Sequence, residues 1–378
     1  MKRATIPEVG DLIRQYIDDI HQIVSTTWKR RTMYAVARCR TAAMGGHIDQ
    51  CDNPQCRKVH ISYNSCRNRH CPKCQGHLRE KWIHSREADL LNVKYFHVVF
   101  TLPHQLNELA LQKPVLIYGL LFKTAWSMIE DFGYNPKLLG ARMGMIAVLH
   151  TWGQNLSLHP HLHCIIPAGG ITKSGKWKQT GTKGKPGCRK ARYLFPITEM
   201  KRVFRARFVA ALRKEITLDK NLSKKLFEKP WVIYCEQPFY GPKPVIEYLG
   251  RYTHKIAISN SRIIAVNNGQ VIFRAKDYRQ KGRRVILQLS EKEFIRRFSL
   301  HVLPKGFTRI RHYGILSSSC KKCCKEIIDE QLGSVALPNI EKKVVHRICP
   351  CCKTGTLITI SVFDERGPPI QWMSISKI

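Results

Sequence analysis

The stretch SLHPHLHCIIPAGG, residues 157–170, decides how this chain is read. It sets His159, His161 and His163 within five positions, directly before the apolar run Cys164–Ile166, a proline and a glycine pair. On an extended strand alternate side chains share a face. His161 and His163 therefore point the same way, while Leu162 points into the core. Two imidazoles from one strand form a metal-ligand pair that a neighbouring element must complete. The preceding run MGMIAVLHTWG, residues 143–153, also reads as a strand, and a short polar turn joins the two, so a hairpin is expected. His150 then lies across that hairpin as the third ligand, with His159 and Gln154 as alternatives. The competing reading of any single one of these residues is a hydrogen-bonded core histidine.

The pattern around this hairpin is mixed. YFHVVFTLP reads as a strand closed by Pro103, PVLIYGLLFKTAWSMIEDFG as a helix, and TEMKRVFRARFVAALRKEI as a basic amphipathic helix. WVIYCE is another strand, PVIEYLGRYTH a short helix, and KIAISNSRIIAVNNGQVIFRAK a run of strands turned by Asn-Gly. Residues 172–192, rich in Gly and Lys, read as a loop. Near the N-terminus, Leu12, Ile13, Tyr16, Ile17, Ile20 and Ile23 recur at helical spacing. Strands and helices do not alternate strictly, which predicts an α+β fold on an antiparallel sheet.

Charge narrows the function. Lys and Arg number 64 against 27 Asp and Glu, a net charge of +37 in 378 residues. Such a chain repels itself unless a polyanion is near, and nucleic acid is the default partner. No apolar run reaches 18 residues, so no transmembrane helix is expected, and the N-terminus lacks the continuous apolar region of a signal peptide. Fifteen cysteines without an export signal argue for thiols or metal ligands rather than disulfides.

The cysteine spacing favours metal. Cys51-x4-Cys56 and Cys71-x2-Cys74 are two knuckles that can set four thiolates around Zn²⁺. Cys39, His47, Cys66 and His70 remain for a second Cys/His site or for exchange with the first four. Further on, Cys320-x2-Cys323 and Cys349-x2-Cys352 spell a second zinc ribbon, with the adjacent cysteines leaving its register open. Zinc with four protein ligands is structural, because no position stays open for chemistry. Arg67, Arg69 and Lys73 around the knuckles suit phosphate contacts, and Trp177 or Tyr193 in the basic loop suit stacking on bases.

Tyr248 and Tyr252, in YLGRYTHKIAISNSRI, are four apart and share a face on a helix. They read either as two packed aromatics or as two phenolic nucleophiles. A tyrosine can attack a phosphodiester and keep one DNA end covalently, and a cation bound nearby polarises the phosphate. A histidine pair and a tyrosine pair in so basic a chain are more specific together than apart.

At this point the chain resembles the two-tyrosine HUH transposases of bacterial rolling-circle insertion sequences, relatives of Helitrons, relaxases and plasmid rolling-circle initiators. The strings that carry the resemblance run in order along nearly the whole chain: YNSCRNRHCPKCQ, FHVVFTLPHQL, LHTWGQNLSLHPHLHCIIPAGG, YLGRYTHKIAISNSRI and EFIRRFSLHVLPKGFTRIRHYGIL. The resemblance implies an N-terminal zinc-binding DNA-binding domain over 1–92, an HUH nuclease domain over 93–315 and a Cys-rich segment over 316–378. It makes His161 and His163 ligands of a catalytic Mg²⁺ or Mn²⁺, and Tyr248 and Tyr252 nucleophiles. It further implies nicking of single-stranded or hairpin element ends, strand transfer to a target, replacement synthesis by the host, and a place in the bacterial cytoplasm at the nucleoid. A plasmid initiator or relaxase would share this chemistry. A non-catalytic zinc-ribbon nucleic-acid binder would not need the tyrosine hydroxyls, and a hydrolase using activated water would want a carboxylate that HPHLH does not offer.

Overall fold

The computed structural model describes residues 7–75, 89–180, 194–236, 255–277, 280, 282–334 and 347–369. In chain order the strands are β1 (Gly46–Cys51), β2 (Val59–Tyr63), β3 (Tyr95–Thr101), β4 (Gly144–Trp152), β5 (Leu158–Pro167), β6 (Gly169–Ile171), β7 (Trp177–Gln179), β8 (Ile233–Cys235), β9 (Ile263–Asn267), β10 (Gln270–Asp277), β11 (Arg283–Ser290), β12 (Ile310–Gly314) and β13 (Leu357–Phe363). All their pairings are antiparallel, and helices accompany them, so the fold is α+β as the sequence pattern predicts. Among the described residues no helix is long and apolar enough to cross a membrane.

The chain forms two compact units from interleaved segments. One unit comprises Met1–Gly76, Ile258–Val302 and Pro338–Ile378; the other comprises His77–Ala257 and Leu303–Leu337. The modules expected over 1–92, 93–315 and 316–378 are consecutive in sequence, whereas each compact unit draws on separate stretches.

The second unit is built on a five-stranded sheet in the order β12-β4-β5-β3-β8. Period-2 alternation sorts its residues. Phe96, Val98 and Phe100 of β3, Met145, Ala147 and Leu149 of β4, and Leu162, Cys164 and Ile166 of β5 join one core. That core is completed by the helices Pro114–Tyr134 and Ile197–Glu215. The second helix presents Met200, Phe204, Phe208 and Leu212, one every fourth residue, as one buried stripe. Pro114 opens the first at a position where its missing N–H costs nothing. On the opposite face, Tyr95, Ile146 and Ile165 meet Cys324 and Ile328 of the helix Lys321–Leu332. The same face carries His97, His150, His161 and His163, because they occupy the matching alternate positions.

In the first unit a three-stranded sheet runs β13-β1-β2, so a C-terminal strand pairs with an N-terminal one. A separate meander, β9-β10-β11, turns at Asn268-Gly269, both in the left-handed region (φ 50° and 72°). This is the backbone that a two-residue hairpin turn needs. The helical start differs from one continuous helix. It stops at Gln15 and resumes over Ile20–Ile23, because Tyr16 leaves the helical region and its hydroxyl donates to Glu291 Oε2 at 2.8 Å.

Candidate active site and metal centres

The hairpin β4–β5 sets His150 directly opposite His161, and the next pair on that face is Val148 opposite His163. One nitrogen from each of His150, His161 and His163 lies within 4.8 Å of the others. The third member thus comes from the strand where the sequence pattern sought it. His159 sits on the same face but plays a different part: its backbone carbonyl accepts the Nδ1–H of His161 at 2.6 Å. That bond leaves Nε2 of His161 as the lone-pair nitrogen. Gln154 lies in the turn between the strands.

His97 extends the cluster, and sequence reading did not single it out. It faces Ile165 across β3–β5, which puts it diagonal to His163. The two rings stack at 5.2 Å and 12°, with His97 Nε2 3.0 Å from His163 Nδ1. His97 Nδ1 in turn lies 3.0 Å from Glu236 Oε2, just past β8. The hydrogen bond from His97 pulls the Glu236 pKa down, so the carboxylate accepts. In the tautomer with the His97 proton on Nδ1, Nε2 of His97 accepts from His163 Nδ1, which leaves the lone pair of His163 on Nε2. In metal sites, a carboxylate or imidazole hydrogen-bonded to the far side of a ligand histidine fixes that ring's orientation, and Glu236 and His97 stand in that relation to His163.

Burial pushes the His161 pKa down to about 3 and that of His163 well below the usual range. Charges from the surrounding histidines and Lys255 act in the same direction on both. The imidazoles are therefore neutral near pH 7, the form that can bind a cation. Lys255 thus adds positive charge beside the cluster, and its carbonyl accepts from Arg309 Nη1 at 3.2 Å. Tyr248 and Tyr252 lie outside the described residues.

Eight of the described cysteines form two groups of four, both in the first unit. Cys39, Cys66, Cys71 and Cys74 form one; Cys51, Cys56, Cys349 and Cys352 form the other. Sulfur separations are 3.5 Å for Cys39–Cys74, 3.7 Å for Cys66–Cys74, 3.6 Å for Cys51–Cys352 and 3.9 Å for Cys56–Cys349. Four sulfurs at ~2.3 Å from a tetrahedral Zn²⁺ stand roughly 3.8 Å apart, so both groups fit that ion. Burial pushes the thiols of Cys39 and Cys51 up to about 11 and about 12, and only a bound cation would hold them as thiolates.

This arrangement corrects the pairing expected from spacing. Cys51 and Cys56 do not join Cys71 and Cys74, because β13 brings Cys349 and Cys352 to them along its ladder with β1. Nor do Cys320 and Cys323 join Cys349 and Cys352, whose partners are Cys51 and Cys56. Cys320 instead accepts a hydrogen bond from Arg142 Nη2 at 3.1 Å. His47 and His70 stand outside both groups; His47 Nε2 lies 3.3 Å from the buried Asp49. Lys73, expected at a phosphate, pairs with Glu8 at 2.5 Å. Trp177 packs on the cluster around Leu90, Leu91 and Ile328 rather than standing free for stacking, and Tyr193 lies outside the described residues.

Comparison with known proteins fits this layout. A family model described as "Putative transposase" matches residues 144–323, and one described as "Transposase zinc-binding domain" matches residues 12–102. The chain is 40% identical to "Putative transposase y4qJ" of Sinorhizobium fredii, over 97% of this chain and 98% of that protein. The chain belongs to this transposase family. Its members act on DNA. The chain is also 28% identical to "Transposase for insertion sequence element IS801" of Pseudomonas savastanoi pv. phaseolicola, over 76% of this chain and 70% of that protein. No solved structure matches it. The zinc-binding match ends at residue 102, so it contains all of the first cysteine group and half of the second.

Proposed function

We propose that this transposase mobilises an insertion sequence of the rolling-circle kind by nicking single-stranded or hairpin element ends through a tyrosine. The observation that carries the proposal is the imidazole trio His150, His161 and His163, on one sheet face beside Lys255, with His161 and His163 neutral. These residues would hold a divalent cation, Mg²⁺ or Mn²⁺, with His161 and His163 each offering Nε2. When bound, the cation supplies Lewis-acid polarisation of the scissile phosphate. Lys255 adds charge that favours a phenolate over a phenol, whose ordinary pKa is about 10.

Two chain connections support Tyr248 and Tyr252 as the nucleophiles. Glu236, which accepts from His97, and Lys255, whose charge acts on His161 and His163, flank residues 237–254 at the same site. Tyr248 and Tyr252 both fall in that connecting segment of the sequence, Tyr252 three residues before Lys255. In the step proposed, a tyrosine oxygen bonds to phosphorus as its phenol proton leaves to solvent, the bond to the 3′ oxygen breaks, and that departing oxygen takes up a proton from solvent. The 5′ phosphate stays on the enzyme and the freed 3′-OH is available to prime host synthesis. The second tyrosine, or the first once released, completes transfer to the target. Cytoplasmic, nucleoid-associated work follows from such a reaction.

Both cysteine groups are proposed as structural Zn²⁺ sites that organise the DNA-binding unit. The insertion-sequence relative favours this reading over a plasmid initiator or relaxase. The test is nicking of labelled single-stranded DNA from the element ends with Mn²⁺ present. His161→Ala with His163→Ala should abolish nicking and leave DNA binding largely intact. Nicking at the normal rate by that double variant would return the histidines to the core.

A further inference from the structure

In the first unit a cavity of about 750 Å³ opens between the loops that follow two of the cysteines. It is lined by Arg40, His47, Ser62, Tyr63, Arg67 and Arg347, among others, and by no carboxylate. We propose that this cavity binds one nucleotide of single-stranded DNA, its phosphate on Arg40 and Arg67 and its base against Tyr63. The proposal rests on the reading of the protein as a DNA-acting transposase and adds a second DNA-binding place to it.

The cysteine group sets up the arginines. Arg40 directly follows Cys39, and Arg67 directly follows Cys66, two ligand positions of the same group of four. Both arginines are held in the left-handed region, at φ 56° and 50°. Side-chain-bearing residues seldom adopt that conformation, so the surrounding turns impose it. The turns are tied to each other: Arg40 N–H donates to the Asn64 carbonyl at 3.0 Å, and Asn64 N–H to the Gly45 carbonyl at 3.0 Å. The two guanidinium groups therefore enter one cavity from two knuckles.

Their charge is available. Arg347 is committed to Asp49, at 2.7 Å, and to Ser62 Oγ, at 3.1 Å. Arg40 and Arg67 are exposed and have no ion pair among the described residues. Two uncompensated guanidinium groups on a concave wall recognise a phosphate diester by paired donors and charge. Tyr63 has its ring set edge-on to Phe363 at 6.1 Å and 87°, which steadies it as a stacking platform. Cavities that hold small molecules run about 300–1,000 Å³, and this one falls within that range.

The experiment uses the full-length, zinc-loaded protein and a fluorescent single-stranded oligonucleotide titrated across a salt series. Arg40→Gln with Arg67→Gln should weaken binding about tenfold or more and flatten the dependence of log K on log salt by roughly 0.7 for each phosphate no longer neutralised. Arg40→Lys with Arg67→Lys should restore most of the salt slope. Tyr63→Leu should weaken single-stranded binding more than binding of the matching duplex. Unchanged zinc content and melting temperature show that the variants are folded. Wild-type affinity and slope in the glutamine double variant would overturn the cavity while leaving the DNA reading standing. Absence of any single-stranded binding by the wild-type protein would overturn both.

Discussion

His97 Nε2 stands 3.0 Å from His163 Nδ1, and the same imidazole reaches Glu236 with its other nitrogen. The bond joins two neighbouring strands of one sheet and engages Nδ1 of His163, leaving Nε2 as its other nitrogen. Glu236→Gln keeps the shape and removes the negative charge that faces His97 Nδ1. It should weaken Mn²⁺ binding roughly tenfold, in the range usual for the outer partners of metal ligands. Titration of the Mn²⁺ electron paramagnetic signal measures this, and His97→Phe should do at least as much. Single-stranded DNA affinity without metal should not change in either variant. Unaltered Mn²⁺ affinity would mean that the stack is packing alone.

Zinc stoichiometry reports the two cysteine groups separately. Loaded protein should hold two Zn²⁺ per chain, one per group. Cys349→Ser with Cys352→Ser should lower that to one, because Cys51 and Cys56 lose the partners that β13 delivers. Gly355→Ala should have the same direction of effect, since a Cβ there would overlap Cys51 Sγ. Metal analysis after gel filtration reads both. Two zinc ions retained in the cysteine double variant would restore the pairing of Cys51 and Cys56 with other ligands.

Leu162 lies between His161 and His163 in sequence and points the opposite way into the helical layer, fully buried. Leu162→Ala should destabilise the protein by about 2–5 kcal/mol, the usual cost of such a truncation in a core. Denaturant unfolding measures it. A loss below about 1 kcal/mol would show that β5 is not seated against the helices as described.

Affinity for DNA should fall steeply with salt, since a chain of net charge +37 releases counterions wherever Lys and Arg meet phosphate. A flat response across a salt series would remove the main use of that charge.

The sequence made parts of this site legible and hid others for physical reasons. Alternation along a strand is a local property, so the shared face of His161 and His163 and the inward Leu162 could be read directly. His150 followed from expecting a hairpin. His97 is different: YFHVVFTLP shows only a strand with one polar residue. Its role depends on the register of β3 against β5 and on Glu236 arriving at the edge beside it. The eight cysteines of the two groups were all visible as candidate ligands, yet their partition was not. Nearby knuckles look like natural partners, because short loops close at least entropic cost. The ladder of β1 with β13 overrides that preference by bringing residues 301 and 293 positions away to Cys51 and Cys56. Asn268-Gly269 shows the other extreme, a turn written in two residues.

In the proposed reaction a tyrosine carries the DNA end covalently. Wild-type protein incubated with Mn²⁺ and a labelled single-stranded oligonucleotide from the element end should form an adduct that survives denaturation. Tyr248→Phe and Tyr252→Phe should differ, one losing initial cleavage and the other mainly later transfer, because only one hydroxyl can stand in line with the phosphate at a time. The double variant Tyr248→Phe, Tyr252→Phe should still bind the oligonucleotide and form no adduct. A denaturation-resistant band from that double variant would contradict the account, because the covalent bond would then belong to another residue.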